Sequence, residues 1–131
     1  MSQAIVHNGR TYFSENELRC KGSGQLKLGN GFADKLLELR LKWNKPMNVT
    51  SACRSTEHNM AVGGAARSYH ICDDERGGTF AIDIVSLDAN ERWDLVELAM
   101  SMGWSVGISN RGFVHLDRRD LLGEKRVIFG Y

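Results

Sequence analysis

The sequence predicts an α+β fold: a single domain over residues 1–131 with about three helices and a small antiparallel sheet. Helical apolar spacing alternates along the chain with short β-like runs, which is the pattern of this class. Turn signals rich in Gly, Asn and Ser join neighbouring runs, and such short turns connect antiparallel strands. A length of 131 residues, of which 42% are hydrophobic, provides one sizeable core.

Helices are predicted where apolar residues recur on one helical face behind a capping residue. The clearest helix runs from Phe32 to about Trp43 and ends before Pro46, the only proline. Three further segments begin at a side chain that can cap a helix: Ser14, Ser55, and Asp88 or Asn90. They predict a single turn at 14–17, a short helix ending at the glycine pair 63–64, and a helix reaching about residue 102.

Five runs rich in β-branched, aromatic or aliphatic residues are predicted to be strands: Met47–Ala52, Thr79–Val85, Trp104–Ile108, Gly112–Asp117 and Val127–Phe129. Side chains alternate between the faces of a strand, so Asp83 lies opposite Ile82 and Ile84, and His115 shares a face with Asp117. A carboxylate in mid-strand needs a partner, because an unpaired buried charge is costly. Either an imidazole-bound metal on a neighbouring strand or a hydrogen bond within the sheet would satisfy Asp83.

Charge and composition argue against several classes of protein. A formal net charge of +1, with scattered basic residues, gives no support for nucleic-acid binding. The apolar runs are far shorter than the roughly 20 residues that a membrane span needs. The N-terminal MSQAIVHNGRTYF lacks the basic start and apolar core of a secretory signal. Three irregularly spaced cysteines, with no CxxC pair, predict no disulfide framework and favour synthesis in a reducing cytoplasm.

Four stretches of the chain occur in an order that is characteristic of one family: FSENELRCKG, NVTSACRSTEHNMAVGGAARSYH, GTFAIDI and GFVHLD. Together they resemble the M15 zinc peptidases, which include D-alanyl-D-alanine carboxypeptidases and phage endolysins that cut L-alanyl-D-glutamate bonds. The resemblance implies a hedgehog/DD-peptidase-like fold. It also implies that His70, Asp83 and His115 bind Zn2+. Two histidines and one carboxylate with an open fourth position form a known catalytic zinc set.

The resemblance implies roles for further residues around these ligands. Arg54 matches the family arginine and is expected to hold a substrate carboxylate or the oxyanion. Ser68 matches a serine beside the first ligand and is expected to contact the substrate or support the ligand. Relatives often carry an acidic residue or His where this chain has Gly112. The nearest acidic candidate is Asp117, which either accepts the proton of zinc-bound water or orients a ligand.

The interval between His70 and Asp83 departs from the family pattern. It contains twelve residues, more than the family commonly has, and the excess lies at Cys72–Gly77. We expect this segment to be an inserted loop that contributes to the wall of the cleft. Asp73 or Asp74 is a rival metal ligand, and Cys72 is either a soft ligand or an incidental loop thiol.

The expected function is zinc-dependent hydrolysis of an amide bond in peptidoglycan stem peptides, by a carboxypeptidase or an endopeptidase. Without a signal peptide, a bacterial or phage enzyme of this type would be made in the cytoplasm and act on the wall after release, as endolysins do. We expect a monomer with no nucleic-acid partner. One alternative is an inactive peptidoglycan-binding or phage structural module on the same fold. Another is a cytoplasmic enzyme that acts on an unrelated small peptide.

Overall fold

The computed structural model describes residues 2–131. Its helices are α1 (Glu15–Leu18), α2 (Phe32–Trp43), α3 (Thr56–Ala61), α4 (Ala89–Ser101) and a 3-10 turn at Arg119–Leu122. Its strands are β1 (Ile5–His7), β2 (Arg10–Phe13), β3 (Asn48–Ser51), β4 (Ala81–Val85), β5 (Ser105–Ile108), β6 (Val114–Asp117) and β7 (Ile128–Gly130). The predicted single-domain α+β class is confirmed, with four α-helices in the described residues where about three were expected.

The helix starts follow the predicted capping residues. The Ser14 and Asp88 side chains each accept a hydrogen bond from the backbone N–H three residues on, and a glutamate at that position completes a capping box. Ser55 accepts from the His58 N–H in the same way. Asp88 is therefore the cap of α4, and the alternative, Asn90, lies inside the helix. No helix among residues 2–131 has the length and apolarity needed to cross a membrane.

Five strands form the main sheet, in the order β3-β4-β6-β5-β7. Neighbouring strands are antiparallel except β5 and β7, which run parallel, so the sheet departs from the predicted antiparallel arrangement at this edge. Strands β1 and β2 form a separate antiparallel hairpin that was not predicted. Its turn is Asn8-Gly9, where both residues have positive φ (50° and 77°), as a tight hairpin turn requires.

The main sheet separates the hydrophobic core from a polar site. Ile82, Ile84 and Leu116 are fully buried in the core cluster, together with Leu36 of α2 and Leu95 of α4. Side chains alternate along a strand, so the residues between these apolar positions point to the other face of the sheet. The same strands therefore anchor the core on one face and carry Asp83 and His115 on the other.

Gly107 of β5 makes room for an aromatic ring beside His115. The glycine is paired with His115 on one side and with Phe129 on the other. A Cβ at this position would lie 2.5 Å from the Phe129 ring and 3.2 Å from the His115 Cβ. We expect Gly107→Ala to lower the free energy of unfolding by about 1–3 kcal/mol, because the close-packed ring must shift. Urea denaturation followed by circular dichroism measures this.

Gly130→Ala in β7 is the matched control for this substitution. A Cβ on Gly130 would meet only the Ile108 carbonyl oxygen, at 3.9 Å. Its unfolding free energy is expected to stay within about 0.5 kcal/mol of wild type. Equal stability of the two variants would show that the Gly107 position is not sterically restricted.

Candidate metal centre

Three buried side chains converge on the polar face of the sheet: His70, Asp83 and His115. Asp83 of β4 and His115 of β6 are direct cross-strand partners, and His70 reaches them from the loop that precedes β4. His70 Nε2 and His115 Nδ1 each lie 3.0 Å from the same oxygen, Asp83 Oδ1. One ligand atom from each residue lies within 4.8 Å of the other two, so a single metal ion could contact all three.

Each imidazole has an inner nitrogen, which faces Asp83, and an outer nitrogen, which faces away from it. The outer nitrogen of each ring is held by a hydrogen-bond acceptor. His70 Nδ1 lies 2.7 Å from the Ala52 carbonyl oxygen, which can only accept, so the proton of a neutral His70 is on Nδ1. His115 Nε2 lies 2.8 Å from Asp117 Oδ2 and donates to it. Metal-binding histidines commonly have their outer nitrogen fixed in this way by a carbonyl or a carboxylate.

The atoms that face one another inside the site, His70 Nε2, His115 Nδ1 and Asp83 Oδ1, are arranged so that they can bind a cation. With its proton on Nδ1, neutral His70 turns the Nε2 lone pair toward the Asp83 carboxylate, so two acceptors face each other across 3.0 Å. A cation between them would satisfy both, and two imidazole nitrogens with one carboxylate oxygen form a donor set that suits zinc. The residues present therefore fit a zinc ion.

Burial and charge shift the pKa values of the three residues in different directions. Burial lowers the pKa of His70 and outweighs the opposing charge of Asp83. Burial also disfavours the charged form of His115, but hydrogen bonds to Asp117 and Asp83 outweigh it and raise the pKa of His115. The pKa of Asp83 is lowered despite its burial, because the two histidines surround the carboxylate. Without a metal, these shifts favour the ionised form of Asp83 and make His115 more readily protonated than His70.

Arg54 connects the candidate metal ligands to neighbouring residues of the chain. Its guanidinium donates to Ser51 Oγ (2.9 Å), Asn59 Oδ1 (3.2 Å) and Asp83 Oδ2 (3.3 Å). Its backbone N–H donates to the His70 carbonyl at 2.9 Å. Arg54 therefore contacts the Asp83 oxygen that does not face the histidines, and it fixes the backbone of the first predicted ligand.

Residues 11–117 match a family model described as Peptidase M15. The chain belongs to the M15 peptidase family. A comparison with curated proteins finds no match to the chain. Family membership confirms the resemblance and supports a hydrolase of the metallopeptidase class. All predicted site residues lie inside the matched segment: Arg54, Ser68, His70, Asp83, His115 and Asp117.

Asp117 lies at the outer nitrogen of His115 in this M15 peptidase. Its side chain is fully buried, and its Oδ2 accepts from both His115 Nε2 and Arg119 Nη2. Its Oδ1 accepts from the backbone N–H and the Nε of Arg119. Both oxygens are thus occupied on the side of His115 that faces away from Asp83. Of the two roles predicted for Asp117, this geometry favours orientation of a ligand over acceptance of a proton from bound water.

A cleft of about 810 Å³ opens beside the candidate metal ligands of this M15 peptidase. Arg54, Ser68 and Asp83 line it, which places the two predicted substrate-contacting residues on its wall. Ser68 Oγ also accepts from the His70 N–H. Lys21 and Arg111 line the same cleft, and sequence reasoning did not single them out. Among the described lining residues, Asp83 is the only acidic one, so the cleft is positively charged apart from the metal site.

Tyr131 is a further cleft residue that sequence reasoning missed. Its N–H donates to the Ile108 carbonyl (3.1 Å), and its ring packs on Phe113 and Phe129 at centroid distances of 5.3 and 5.5 Å. The position depends on the parallel pairing of β7 with β5, which no local pattern indicates.

The Cys72–Gly77 segment does not form the cleft wall that was expected. None of its residues is among the described residues that line the cleft of Arg54 and Asp83. Asp73 accepts from the Thr56 N–H and hydroxyl, and Asp74 pairs with Arg76. Both rival ligands are therefore engaged outside the cluster of candidate metal ligands.

The described part of the chain contains one disulfide, although the number and spacing of the cysteines argued against a disulfide framework. Cys72 forms a disulfide with Cys53, so it is neither a soft metal ligand nor an incidental thiol. The two cysteines are separated by 19 positions, and the fold brings their Cα atoms to 5.6 Å. Cys20 is the remaining free cysteine, and it is buried.

The raised pKa of His115 gives a test of the Asp117 contact. In the metal-free protein we expect His115 to titrate above the usual value of about 6.5, and Asp117→Asn to lower that pKa by removing a negative charge. Because the folded pKa is raised, the stabilisation from His115 is complete below about pH 6.5 and is lost as the pH rises through the folded value. NMR titration of the imidazole resonances, with urea denaturation at several pH values, measures both effects.

Asp74→Asn is the control for the Asp117 substitution, since it removes a carboxylate that pairs with Arg76 instead. It should leave the His115 titration unchanged. An unaltered His115 pKa in Asp117→Asn would mean that Asp117 does not hold the ring.

Proposed function

We propose that this M15 peptidase is zinc-dependent and hydrolyses an amide bond in peptidoglycan stem peptides. The observation that carries the proposal is the convergence of His70 Nε2 and His115 Nδ1 on Asp83 Oδ1, with the outer ring nitrogens already held. A zinc ion bound there would act as a Lewis acid and lower the pKa of bound water toward ~7. The hydrogen bonds that hold the outer ring nitrogens are of the type expected where a site is preorganised for a metal.

The residues of the chain then divide into three roles. His70, Asp83 and His115 bind the metal, while the Ala52 carbonyl and Asp117 fix the two imidazoles. Arg54 reaches the cleft next to Asp83 and supplies a fixed positive charge for a substrate carboxylate or for the oxyanion. Ser68 and Tyr131 also line this cleft, where their hydroxyls can contact a bound peptide.

The charge of the cleft supports an anionic peptide substrate. Lys21, Arg54 and Arg111 line it, and bound metal would offset the charge of Asp83. Stem peptides carry free carboxylates at D-glutamate and at the terminal D-alanine. A volume of about 810 Å³ lies in the range of ligand pockets, so a short peptide fits. The bond cut is then either the terminal D-Ala bond or an internal L-Ala–D-Glu bond, as in cell-wall carboxypeptidases or phage endolysins.

One observation favours a second candidate, a wall-binding module without activity. Gly112 offers no side chain, Asp117 is fully engaged, and no described cleft residue other than Asp83 carries a carboxylate. A general base of the usual acidic type is therefore missing from the described cleft wall. A metal-loaded protein that binds purified wall and releases no peptide would support this candidate.

Zinc content and wall digestion test the proposed function together. We expect the purified protein to hold about one zinc per chain and to release peptides from purified cell wall. His115→Ala removes one of three ligands, so both zinc content and peptide release should fall to background. Atomic absorption and mass spectrometry of the digest provide the two measurements.

His7→Ala is the matched control for this experiment, because His7 is an exposed residue of β1 outside the site. It should behave as wild type. Equal peptide release by wild type and His115→Ala would refute the zinc mechanism.

Substitution of Arg54 tests its proposed role in binding negative charge. Arg54→Lys keeps the charge but loses the planar fork that reaches Ser51, Asn59 and Asp83 together. We expect kcat/KM to fall about 10²–10³-fold, as for loss of a donor to the oxyanion. Zinc content should change much less, because Arg54 is not a ligand. Steady-state kinetics on a synthetic stem peptide measures the loss.

Arg67→Lys provides the control, since Arg67 is exposed and does not line the cleft. Its kinetics should match wild type. If Arg54→Lys is as active as wild type, Arg54 is not the residue that stabilises the substrate charge.

A further inference from the structure

We propose that the Cys53–Cys72 disulfide positions His70 and Arg54, so that tight metal binding requires this disulfide to be closed. The proposal rests on the proposed metal site and is independent of the substrate. Cys53 lies between Ala52, whose carbonyl holds His70 Nδ1, and Arg54, which contacts Asp83. Cys72 follows His70 by two positions. The bond therefore links the two short segments that hold the first ligand in place.

The backbone contacts between these segments are few. Arg54 N–H donates to the His70 carbonyl (2.9 Å), and Cys72 N–H donates to the Arg54 carbonyl (2.8 Å). They form an isolated parallel bridge between Arg54 and Ile71, outside the named strands. Within the described residues, the disulfide is the covalent link that keeps this bridge closed.

His70 needs this support more than the other two ligands do. Asp83 and His115 are paired in adjacent central strands, where ladder hydrogen bonds fix the backbone. His70 lies in a loop and directly follows the irregular segment 62–69, which contains several exposed residues. A crosslink between residues 19 positions apart removes conformational freedom that the loop would have once the disulfide is open. Opening the disulfide is therefore expected to loosen one ligand while the sheet keeps the other two.

Closure of the bond is an ordinary thiol–disulfide exchange. The thiols of Cys53 and Cys72 lose two protons and two electrons and form one S–S bond. A disulfide oxidant, such as glutathione disulfide or an oxidoreductase disulfide, takes up the electrons and protons and becomes two thiols. Both cysteines are almost fully buried, which slows the access of a reductant to the closed bond without preventing its reduction. The chain thus has a weak metal site under reducing conditions and a tight one after oxidation.

Zinc affinity of closed and open forms tests the proposal. A chromophoric chelator competes for zinc with oxidised wild type, with wild type reduced by a phosphine that is then removed without air, and with Cys53→Ala/Cys72→Ala. We expect zinc to bind about 10–100-fold more weakly to both open forms, the range for loss of a contact that supports a ligand. Cys20→Ala is the control and should match oxidised wild type, because it keeps the disulfide.

Amide hydrogen exchange in the metal-free protein gives an independent readout. The amides of Arg54 and Cys72 should exchange faster in the open forms, whereas the amides of β4 and β6 keep their protection. Equal zinc affinity of open and closed forms would overturn the proposal. Loss of protection throughout β4 and β6 would also overturn it, because the bond would then hold the whole fold together. Failure of the closed form to bind zinc would instead refute the proposed metal site itself.

Discussion

The buried carboxylate of Asp83 is the constraint on which the rest of the site depends. Its side chain is about 4% exposed, in a strand whose neighbours Ile82 and Ile84 are in the core. A buried charge without partners costs several kcal/mol, and removal of one partner is more damaging than removal of the pair. Arg54 contacts one carboxylate oxygen, and His70 and His115 face the other. In the metal-free protein the guanidinium of Arg54 offsets the charge of Asp83, and the raised pKa of His115 favours a second positive charge beside it.

The strand β4 carries Asp83 on one face and the core residues Ile82 and Ile84 on the other. The strand register that packs the core therefore also positions Asp83. A slip of one residue in β4 would move Asp83 into the apolar layer and Ile82 or Ile84 into the site. Helices α2 and α4 pack on the apolar face, so this slip carries the cost of a broken core. Pairing of Asp83 with His115 is therefore maintained by hydrophobic burial, although neither residue takes part in that burial.

Local patterns and the family resemblance predicted the parts of the structure that depend on neighbours in sequence. Strand alternation placed Asp83 and His115 away from the core, and capping side chains marked the start of three of the four described α-helices. The Asn8-Gly9 turn was a usable signal for the first hairpin that was overlooked. By contrast, the parallel strand β7 and the Cys53–Cys72 disulfide depend on contacts between distant segments. No spacing rule reveals these contacts, and an odd number of cysteines pointed away from the disulfide.

The three candidate metal ligands are held unequally, and under the proposed function this unequal support would couple metal binding to substrate binding. The segment between Cys53 and Cys72 contains α3 and the loop that presents His70. It also supplies His58, Gly64 and Ser68 to the lining of the cleft, and the disulfide links its ends. A change that orders this segment would therefore fix both the candidate ligand His70 and the cleft residues of the same segment. A peptide that contacts Ser68 would pay less ordering entropy when metal is already bound, since the metal has fixed His70. By linkage, the bound peptide would strengthen metal binding by the same factor. Asp83 and His115 take little part in this coupling, because the sheet fixes them whether or not a ligand is present.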